Sequence, residues 1–74
     1  MKSIKDHCVD IIIDLKRIRE SKGITTAQME VLTGIRQPNI TRMETLKSIP
    51  SLQTIIKYAD ALNVVIKITS KNSP

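Results

Sequence analysis

The stretch that decides the fold is TTAQMEVLTGIRQPNITRMET, residues 25–45. Thr25 and Gln28 have the spacing of a capping box, in which a hydroxyl and an amide side chain satisfy free backbone amides at a helix N-terminus. Gly34 takes a positive φ without strain, so the helix that starts after Thr25 is expected to end just before it. The first half of the stretch therefore predicts a short helix of about two turns.

The second half of the stretch predicts another short helix, over about residues 37–45. Pro38 is tolerated there because the first turn of a helix does not need the amide N–H that proline lacks. Ile40 and Met43 lie three residues apart and are expected to face inward. Two short helices joined by a tight turn that contains a glycine are the elements of a helix-turn-helix.

A longer amphipathic helix is predicted ahead of this stretch, from about Asp6 to about Lys22. Asp6 is expected to be its N-cap, and Gly23 is expected to end it. Val9 and Ile13 lie off the main apolar stripe and indicate a second apolar contact, with the C-terminal segment or with another subunit. The main stripe recurs at helical spacing and consists of Cys8, Ile11, Ile12, Leu15 and Ile18.

A fourth helix is predicted after Ser51, which is a good N-cap, and Asn63 is expected to end it. One face of this helix carries apolar side chains at helical spacing: Leu52, Ile55, Ile56, Ala59 and Leu62. The chain is thus expected to be all-α up to residue 63.

Residues 64–69 are rich in β-branched side chains and are predicted to form a strand. Because one strand in a helical chain has no intramolecular partner, we expect it to pair with the same strand of a second copy. The alternatives are a segment that packs on the first helix and an irregular helical turn. Residues 1–69 are expected to be a single domain and residues 70–74 a frayed tail. The residues expected at the dimer interface are Val64, Val65, Ile66 and Ile68.

Length and charge narrow the functional classes. A chain of 74 residues allows one small domain, and 12 Lys and Arg against 7 Asp and Glu give a formal net charge of +5. From residue 36 onward there are six Lys and Arg against two Asp and Glu, so the excess lies in the second half. Such a balance favours nucleic acid as the partner, and an acidic membrane second.

Other chemistry is thin. Cys8 lies on the apolar stripe and His7 on the opposite side, which indicates a core thiol and a surface imidazole rather than a catalytic pair. The chain has a single cysteine and no cluster of Cys and His with the spacing of a zinc site, so neither a metal nor a cofactor is expected. The longest aliphatic run contains Asp10 and Asp14, and it is too short and too charged for a membrane span or a signal segment. We expect a cytoplasmic protein that is not an enzyme.

Four motifs, in this order and spacing, resemble the Cro/C1 phage-repressor type of helix-turn-helix domain, also called the XRE type, over about residues 12–63. They are Gly23-Ile24-Thr25, Thr33-Gly34-Ile35-Arg36-Gln37, Ile40-Thr41-Arg42-Met43-Glu44 and Pro50-Ser51-Leu52. The resemblance implies a lambda-repressor-like bundle of four to five short helices. It also implies that residues 26–33 form a supporting helix and residues 37–45 a recognition helix in the major groove of DNA.

The resemblance assigns base contacts to the recognition helix. Gln37 lies where the family places a base-reading residue, and its amide suits adenine. Arg42, one turn later, is expected to reach guanine or a phosphate. Pro38 and Asn39 lie on the leading edge of the helix, where Pro38 offers only apolar contact, and Thr41 is a further outward polar position.

Phosphate contacts are implied around the same helix. Arg36 and Lys47 bracket it at positions that match backbone-contacting residues of the family. Thr26 lies at the N-terminus of the supporting helix, where amides and a hydroxyl can bind phosphate. Leu46 departs from the family pattern because a glycine commonly follows the recognition helix, which puts the turn into Lys47 in question.

Arg19 and Glu44 match a family pair with a structural role. An arginine near the end of the first helix pairs there with a glutamate at the end of the recognition helix. Such a pair is expected to be partly buried and to orient the recognition helix without touching DNA.

Two hypotheses for function follow. The first is a homodimeric, sequence-specific transcriptional regulator that reads a palindromic operator through recognition helices about 34 Å apart. Repression is expected because no separate effector domain fits in this length. The alternative is an antitoxin of the HigA type that also binds a toxin, through the acidic row of Asp6, Asp10 and Asp14 or through residues 64–69. Restriction-modification controllers and phage switch proteins are similar in size.

Overall fold

The structure, a computed structural model, describes residues 3–67 and is all-helical over that range. The four helices are α1 (Ile4–Ser21), α2 (Thr26–Thr33), α3 (Gln37–Glu44) and α4 (Leu52–Ala61). α2 packs against α3 and α4, and α1 packs against α3. The predicted helix-turn-helix is therefore present as α2, a three-residue turn and α3.

The first helix begins earlier than the sequence predicted, because Ser3 and not Asp6 is its N-cap. The Ser3 hydroxyl accepts the N–H of Asp6 at 3.1 Å, and the Asp6 carboxylate accepts the N–H of Ser3 at 3.3 Å. This is a capping box, which satisfies two free donors at once. Asp6 is the acidic member of that box, three residues after the cap, so the prediction that Asp6 is the N-cap was wrong.

Within the described range, three helices end in the same left-handed turn. The residue after the C-cap has a positive φ in each case: 70° at Gly23 after α1, 63° at Leu46 after α3 and 59° at Asn63 after α4. In each turn the N–H of this residue and the N–H of the residue that follows it donate to carbonyls of the last helical turn, which is the Schellman motif. Gly34 ends α2 with a φ of 76°. The predicted terminators Gly23, Gly34 and Asn63 are confirmed.

The core is aliphatic except for one tyrosine. Its fully buried residues come from all four helices, and they are Ile12, Leu15, Met29, Ile40, Met43, Tyr58, Ala59 and Leu62. A hydrogen bond outside this core joins the C-terminal ends of α1 and α4, since Nζ of Lys22 donates to the carbonyl of Leu62 at 2.7 Å. The cation thereby meets the negative end of the α4 dipole.

Two helices present part of their predicted apolar face to solvent. Leu52 is 72 % exposed, Ile56 45 % and Ile11 44 %, although all three belong to the predicted stripes. In α4 the core-facing side is rotated toward Tyr58, which the predicted stripe omitted. The cause is that Tyr58 and Leu62 are four residues apart and occupy the same side of the helix.

The predicted strand is not present over residues 64–67, and Ile68 and Thr69 lie outside the described residues. The N–H of Val64 donates to the carbonyl of Ala59 at 2.9 Å, so Val64 completes the cap of α4 and packs on the core. Val65 and Ile66 are both exposed, without the alternation of a strand. A strand needs a neighbouring backbone to pair with, and the described part of this chain supplies none.

None of the helices in the described range is long and apolar enough to cross a membrane.

Candidate nucleic-acid interface

Both ends of α2 are closed by side-chain hydrogen bonds, and the one at its C-terminal end lies at the turn into α3. The Thr25 hydroxyl accepts the N–H of Gln28 at 3.1 Å, and the Gln28 side chain accepts the N–H of Thr25 at 2.8 Å, which confirms the predicted capping box. At the other end, the Thr33 hydroxyl donates to the carbonyl of Met29 at 2.6 Å and accepts the N–H of Ile35 at 3.0 Å. Both ends of α2 are thus closed by local hydrogen bonds, and α2 is a firm support for α3.

α3 is anchored by its inner face and open on its outer face. Ile40 and Met43 are 0 % and 2 % exposed, as predicted. The outer positions of the helix are exposed, and these are Pro38, Asn39, Thr41 and Arg42. Because the buried pair holds the helix from beneath, the polar outer side chains project from a fixed base.

The first residue of α3 is joined to the first residue of α2. Nε2 of Gln37 donates to the hydroxyl of Thr26 at 3.0 Å, and both side chains are half-buried. The second N–H of the Gln37 amide and its Oε1 are not used in this bond. The structure therefore places Thr26, which the sequence analysis assigned to a phosphate, against the residue that was assigned to a base.

Two exposed cations flank α3. Arg36 is at its N-cap position, and its side chain makes no capping hydrogen bond. Lys47 follows the turn after the helix, and its N–H donates to the carbonyl of Arg42 at 2.9 Å. The turn that Leu46 put in question has the geometry of a glycine turn even though a leucine occupies it. Arg36, Arg42 and Lys47 thus lie at the two ends of one short helix.

A buried polar cluster fixes the C-terminal end of α3. Nε of Arg19 lies 2.8 Å from Oε2 of Glu44, and Nη2 lies 2.9 Å from Oε1, so the pair is bidentate. The third nitrogen, Nη1, donates to the carbonyl of Ile24 at 2.6 Å. The hydroxyl of Tyr58 donates to Oε2 of Glu44 as well. Arg19 and Glu44 are each only 8 % exposed. We call Arg19, Glu44 and Tyr58 the buried triad.

Protonation in the buried triad follows from this geometry. Burial, together with the hydrogen bond to Glu44, raises the pKa of Tyr58 far above its usual value. The hydrogen bond to Glu44 raises the pKa of Arg19. The phenol therefore stays neutral and donates, while the guanidinium stays charged.

The sequence profile of the helix-turn-helix family matches residues 15–65. The chain belongs to the helix-turn-helix family. It is 35 % identical over 60 residues to an uncharacterised HTH-type transcriptional regulator of Haemophilus influenzae, a match that covers 81 % of this chain. The match covers 61 % of that relative, so the chain spans about three fifths of its length. No solved structure matches the chain.

The helix-turn-helix membership confirms the resemblance drawn from the four motifs at the level of the family. Assignment to an antitoxin, restriction-controller or phage subgroup stays a prediction. Among residues 3–67 of this helix-turn-helix protein, no group of three or more His, Cys, Asp or Glu residues is arranged to hold a metal ion.

Sequence reasoning missed Tyr58. It is the single tyrosine of the chain and lies three residues after Ile55 and four before Leu62, which puts it on the inner side of α4. A buried phenol needs a hydrogen-bond partner, and a carboxylate at the end of the neighbouring helix is a suitable acceptor. That requirement was the available signal that links Tyr58 to Glu44.

The predicted dimer residues Val64, Val65 and Ile66 lie beside the outer side of α4. Val64 is half-buried on the core, Val65 and Ile66 are exposed, and Ile68 is outside the described residues. All three described residues line a shallow apolar depression with Leu52 and Ile56. The exposed residues of the predicted segment therefore continue onto the outer side of α4.

Proposed function

We propose that this protein is a sequence-specific DNA-binding transcriptional regulator whose recognition helix is α3. The observation that carries the proposal is the hydrogen bond from Gln37 to Thr26. It holds a half-buried amide in one orientation at the N-terminal end of α3, which is the end that reaches base edges in helix-turn-helix complexes. The printed description of the Haemophilus influenzae relative as a transcriptional regulator supports the same function.

Gln37 is the proposed base reader. With one N–H held by Thr26, its other N–H and its Oε1 match N7 and the N6 amino group of adenine. Arg42 is exposed one turn and a half later and suits guanine or a phosphate. Three exposed neighbours on α3 would enter the same groove, and they are Pro38, Asn39 and Thr41.

Arg36 and Lys47 are the proposed phosphate contacts. Each is exposed and lies at one end of α3. With α3 in the major groove, one of these cations would lie near the phosphates of each DNA strand. In this proposal Thr26 acts on the bases through Gln37, and the free N–H groups at the start of α2 remain available to a phosphate.

The proposed functional unit is a homodimer on a palindromic operator. An apolar face runs over Ile49, Leu52, Ile56, Val65 and Ile66, which are between 44 % and 77 % exposed. We call this set the α4 face. A contiguous exposed patch of large aliphatic side chains is unusual on a monomer and typical of an interface. A two-fold pair through one face presents two identical recognition helices, which a palindrome requires.

Repression is the proposed sign of regulation, because a dimer bound across a promoter excludes polymerase from the same DNA. The antitoxin alternative adds a protein partner to the DNA-binding role and stays a prediction. Purification of the protein from its native host tests it. A small basic protein that copurifies in equal amount supports the antitoxin reading, and its absence supports the simple regulator.

The test of the proposal begins with selection of bound sites from a random DNA library. The selected DNA is then titrated by fluorescence anisotropy over a salt series. A palindromic consensus is expected, and Lys47→Ala is expected to reduce the salt slope by about 1. Arg17→Ala is the matched control, since Arg17 is an exposed cation on α1 that pairs with Asp14 at 3.3 Å. No enriched sequence, or equal slopes for wild type and Lys47→Ala, would contradict the proposal.

A further inference from the structure

We propose that Tyr58 is a positioning residue for DNA recognition, acting on α3 through Glu44. The inference rests on the proposed function, and it assigns a part of the DNA-binding activity to a residue of α4. Tyr58 is fully buried and lies on the core side of the bundle, so it has no access to DNA itself.

The carboxylate of Glu44 is held from two sides. Oε2 accepts from Nε of Arg19 on α1 and from the hydroxyl of Tyr58 on α4, while Oε1 accepts from Nη2 of Arg19. Glu44 is the last residue of α3. The end of α3 is therefore tied to the helix before the motif and to the helix after it by directional bonds.

At its N-terminal end α3 is tied to α2 by the hydrogen bond from Gln37 to Thr26, so the tie at Glu44 fixes the opposite end of the helix. Its N-cap, Arg36, makes no side-chain capping bond, and Ile40 and Met43 hold the helix by apolar packing. Apolar contact resists separation but sets orientation less strictly than hydrogen bonds do. Removal of the Tyr58 hydroxyl leaves Oε2 with one protein donor and frees the α4 side of the tie.

A small rotation at Glu44 is transmitted to the base reader. Gln37 lies seven residues earlier, about 10 Å along the helix axis. A tilt of a few degrees about Glu44 therefore displaces the Gln37 amide by several tenths of an ångström. Bidentate pairing with a base tolerates little displacement, whereas phosphate contact by flexible cations tolerates more. Loss of the hydroxyl is expected to weaken specific binding and to spare non-specific binding.

The experiment compares Tyr58→Phe, which removes only the hydroxyl, with Ile12→Val, which lowers stability at a buried position of α1 outside the buried triad. Both are measured at a temperature where circular dichroism shows them folded. Tyr58→Phe is expected to lower affinity for the selected site by about tenfold and to leave affinity for random DNA unchanged. Ile12→Val is expected to leave both affinities unchanged.

A measurement without DNA separates this proposal from the proposed function. Backbone amide hydrogen exchange in Tyr58→Phe is expected to accelerate in α3 by about tenfold relative to α2. Ile12→Val is expected to keep the wild-type ratio between the two helices. If the wild type selects no DNA site, the proposed function fails and the exchange ratio alone decides the role of Tyr58. An unchanged ratio of α3 to α2 exchange, or an unchanged specificity ratio in a DNA-binding protein, overturns the proposal.

Discussion

At the scale of single residues, the contact between Thr26 and Gln37 links the fold to the proposed recognition of DNA bases. A free glutamine side chain samples several rotamers, and ordering it on DNA costs free energy of about 1 kcal/mol. The 3.0 Å hydrogen bond to the Thr26 hydroxyl orders the amide before DNA arrives. If Gln37 is the base reader, as proposed, the pair is expected to contribute to DNA affinity through preorganisation as well as through contact.

Leu46 has a strained backbone conformation in the turn after α3. Its φ of 63° is a left-handed conformation that costs a residue with a Cβ about 1–2 kcal/mol. The turn persists because the N–H of Leu46 donates to Met43 at 3.0 Å and that of Lys47 donates to Arg42 at 2.9 Å. These bonds set the path of the chain into Lys47, and the strain is tolerated for them.

Leu46→Gly is therefore expected to stabilise the protein by about 1 kcal/mol, because glycine adopts this φ freely. Urea unfolding followed by circular dichroism measures the change. Gly34→Ala is the opposite control. An added Cβ at Gly34 meets nothing within 4 Å, so its expected cost of about 1 kcal/mol comes from the backbone alone. A loss of stability in Leu46→Gly would show that its side chain contributes more than its backbone costs.

At the scale of elements, the ion pair between Arg19 and Glu44 joins α1 to α3. Taking two charges out of water is costly, and the bidentate geometry with the extra acceptor at Ile24 offsets that cost. Such a pair is better understood as a device that fixes the relative placement of two helices than as a large source of stability.

Arg19→Met is expected to cost about 3–5 kcal/mol, because it leaves the Glu44 carboxylate buried without its cation. The double change Arg19→Met with Glu44→Gln is expected to cost less, since the amide is neutral and still accepts from Tyr58. Thermal and urea unfolding of the single and double variants measure the coupling. Simple additivity of the two single effects would refute the pairing.

The raised pKa of Tyr58, a residue of α4, makes the stability of the folded protein depend on pH. The unfolded chain releases the phenol proton near pH 10, whereas the folded protein keeps it to a higher pH because of burial and the bond to Glu44. The stabilisation by the neutral phenol is thus complete below about pH 10. The free energy of unfolding is expected to fall as the pH rises above that value.

The tyrosinate absorbance reports Tyr58 alone, since the chain has one tyrosine. It is expected to appear together with alkaline unfolding and not before it. Tyr58→Phe is expected to lose less stability than the wild type above about pH 10, because it lacks this ionisation. Titration of the folded protein with an ordinary tyrosine pKa would contradict the buried triad.

At the scale of the whole molecule, the α4 face is the expected contact between two copies. Leu52→Lys places a charge on its most exposed α4 residue and is expected to raise the dimer dissociation constant at least tenfold. Leu32→Lys is the matched control, since Leu32 is 56 % exposed on α2, away from that face. Sedimentation equilibrium measures the dimer dissociation constants of both variants. Equal behaviour of the two variants would place the interface elsewhere.

Apart from the start of α1, the sequence predicts the helices and their ends well, because capping and termination are local. Thr25, Gly34 and Ser51 act within a few residues of themselves, so their spacing is enough. Tyr58 and Leu46 were harder, because a hydroxyl that reaches another helix and a strained φ depend on tertiary contacts. The strand prediction failed over 64–67 for a similar reason. A β-branched pattern does not reveal that Val64 belongs to the cap of α4.

In the proposed function, α3 reads bases through Gln37. The most direct measurement is a titration of wild type and Gln37→Ala against the selected operator and every single base-pair variant of it. Gln37→Ala is expected to lose about 1–3 kcal/mol of binding free energy on the operator and to stop discriminating at one position of each half-site. The salt slope is expected to stay unchanged. An equal loss on all sequences, or no loss at all, would contradict the proposed role of Gln37.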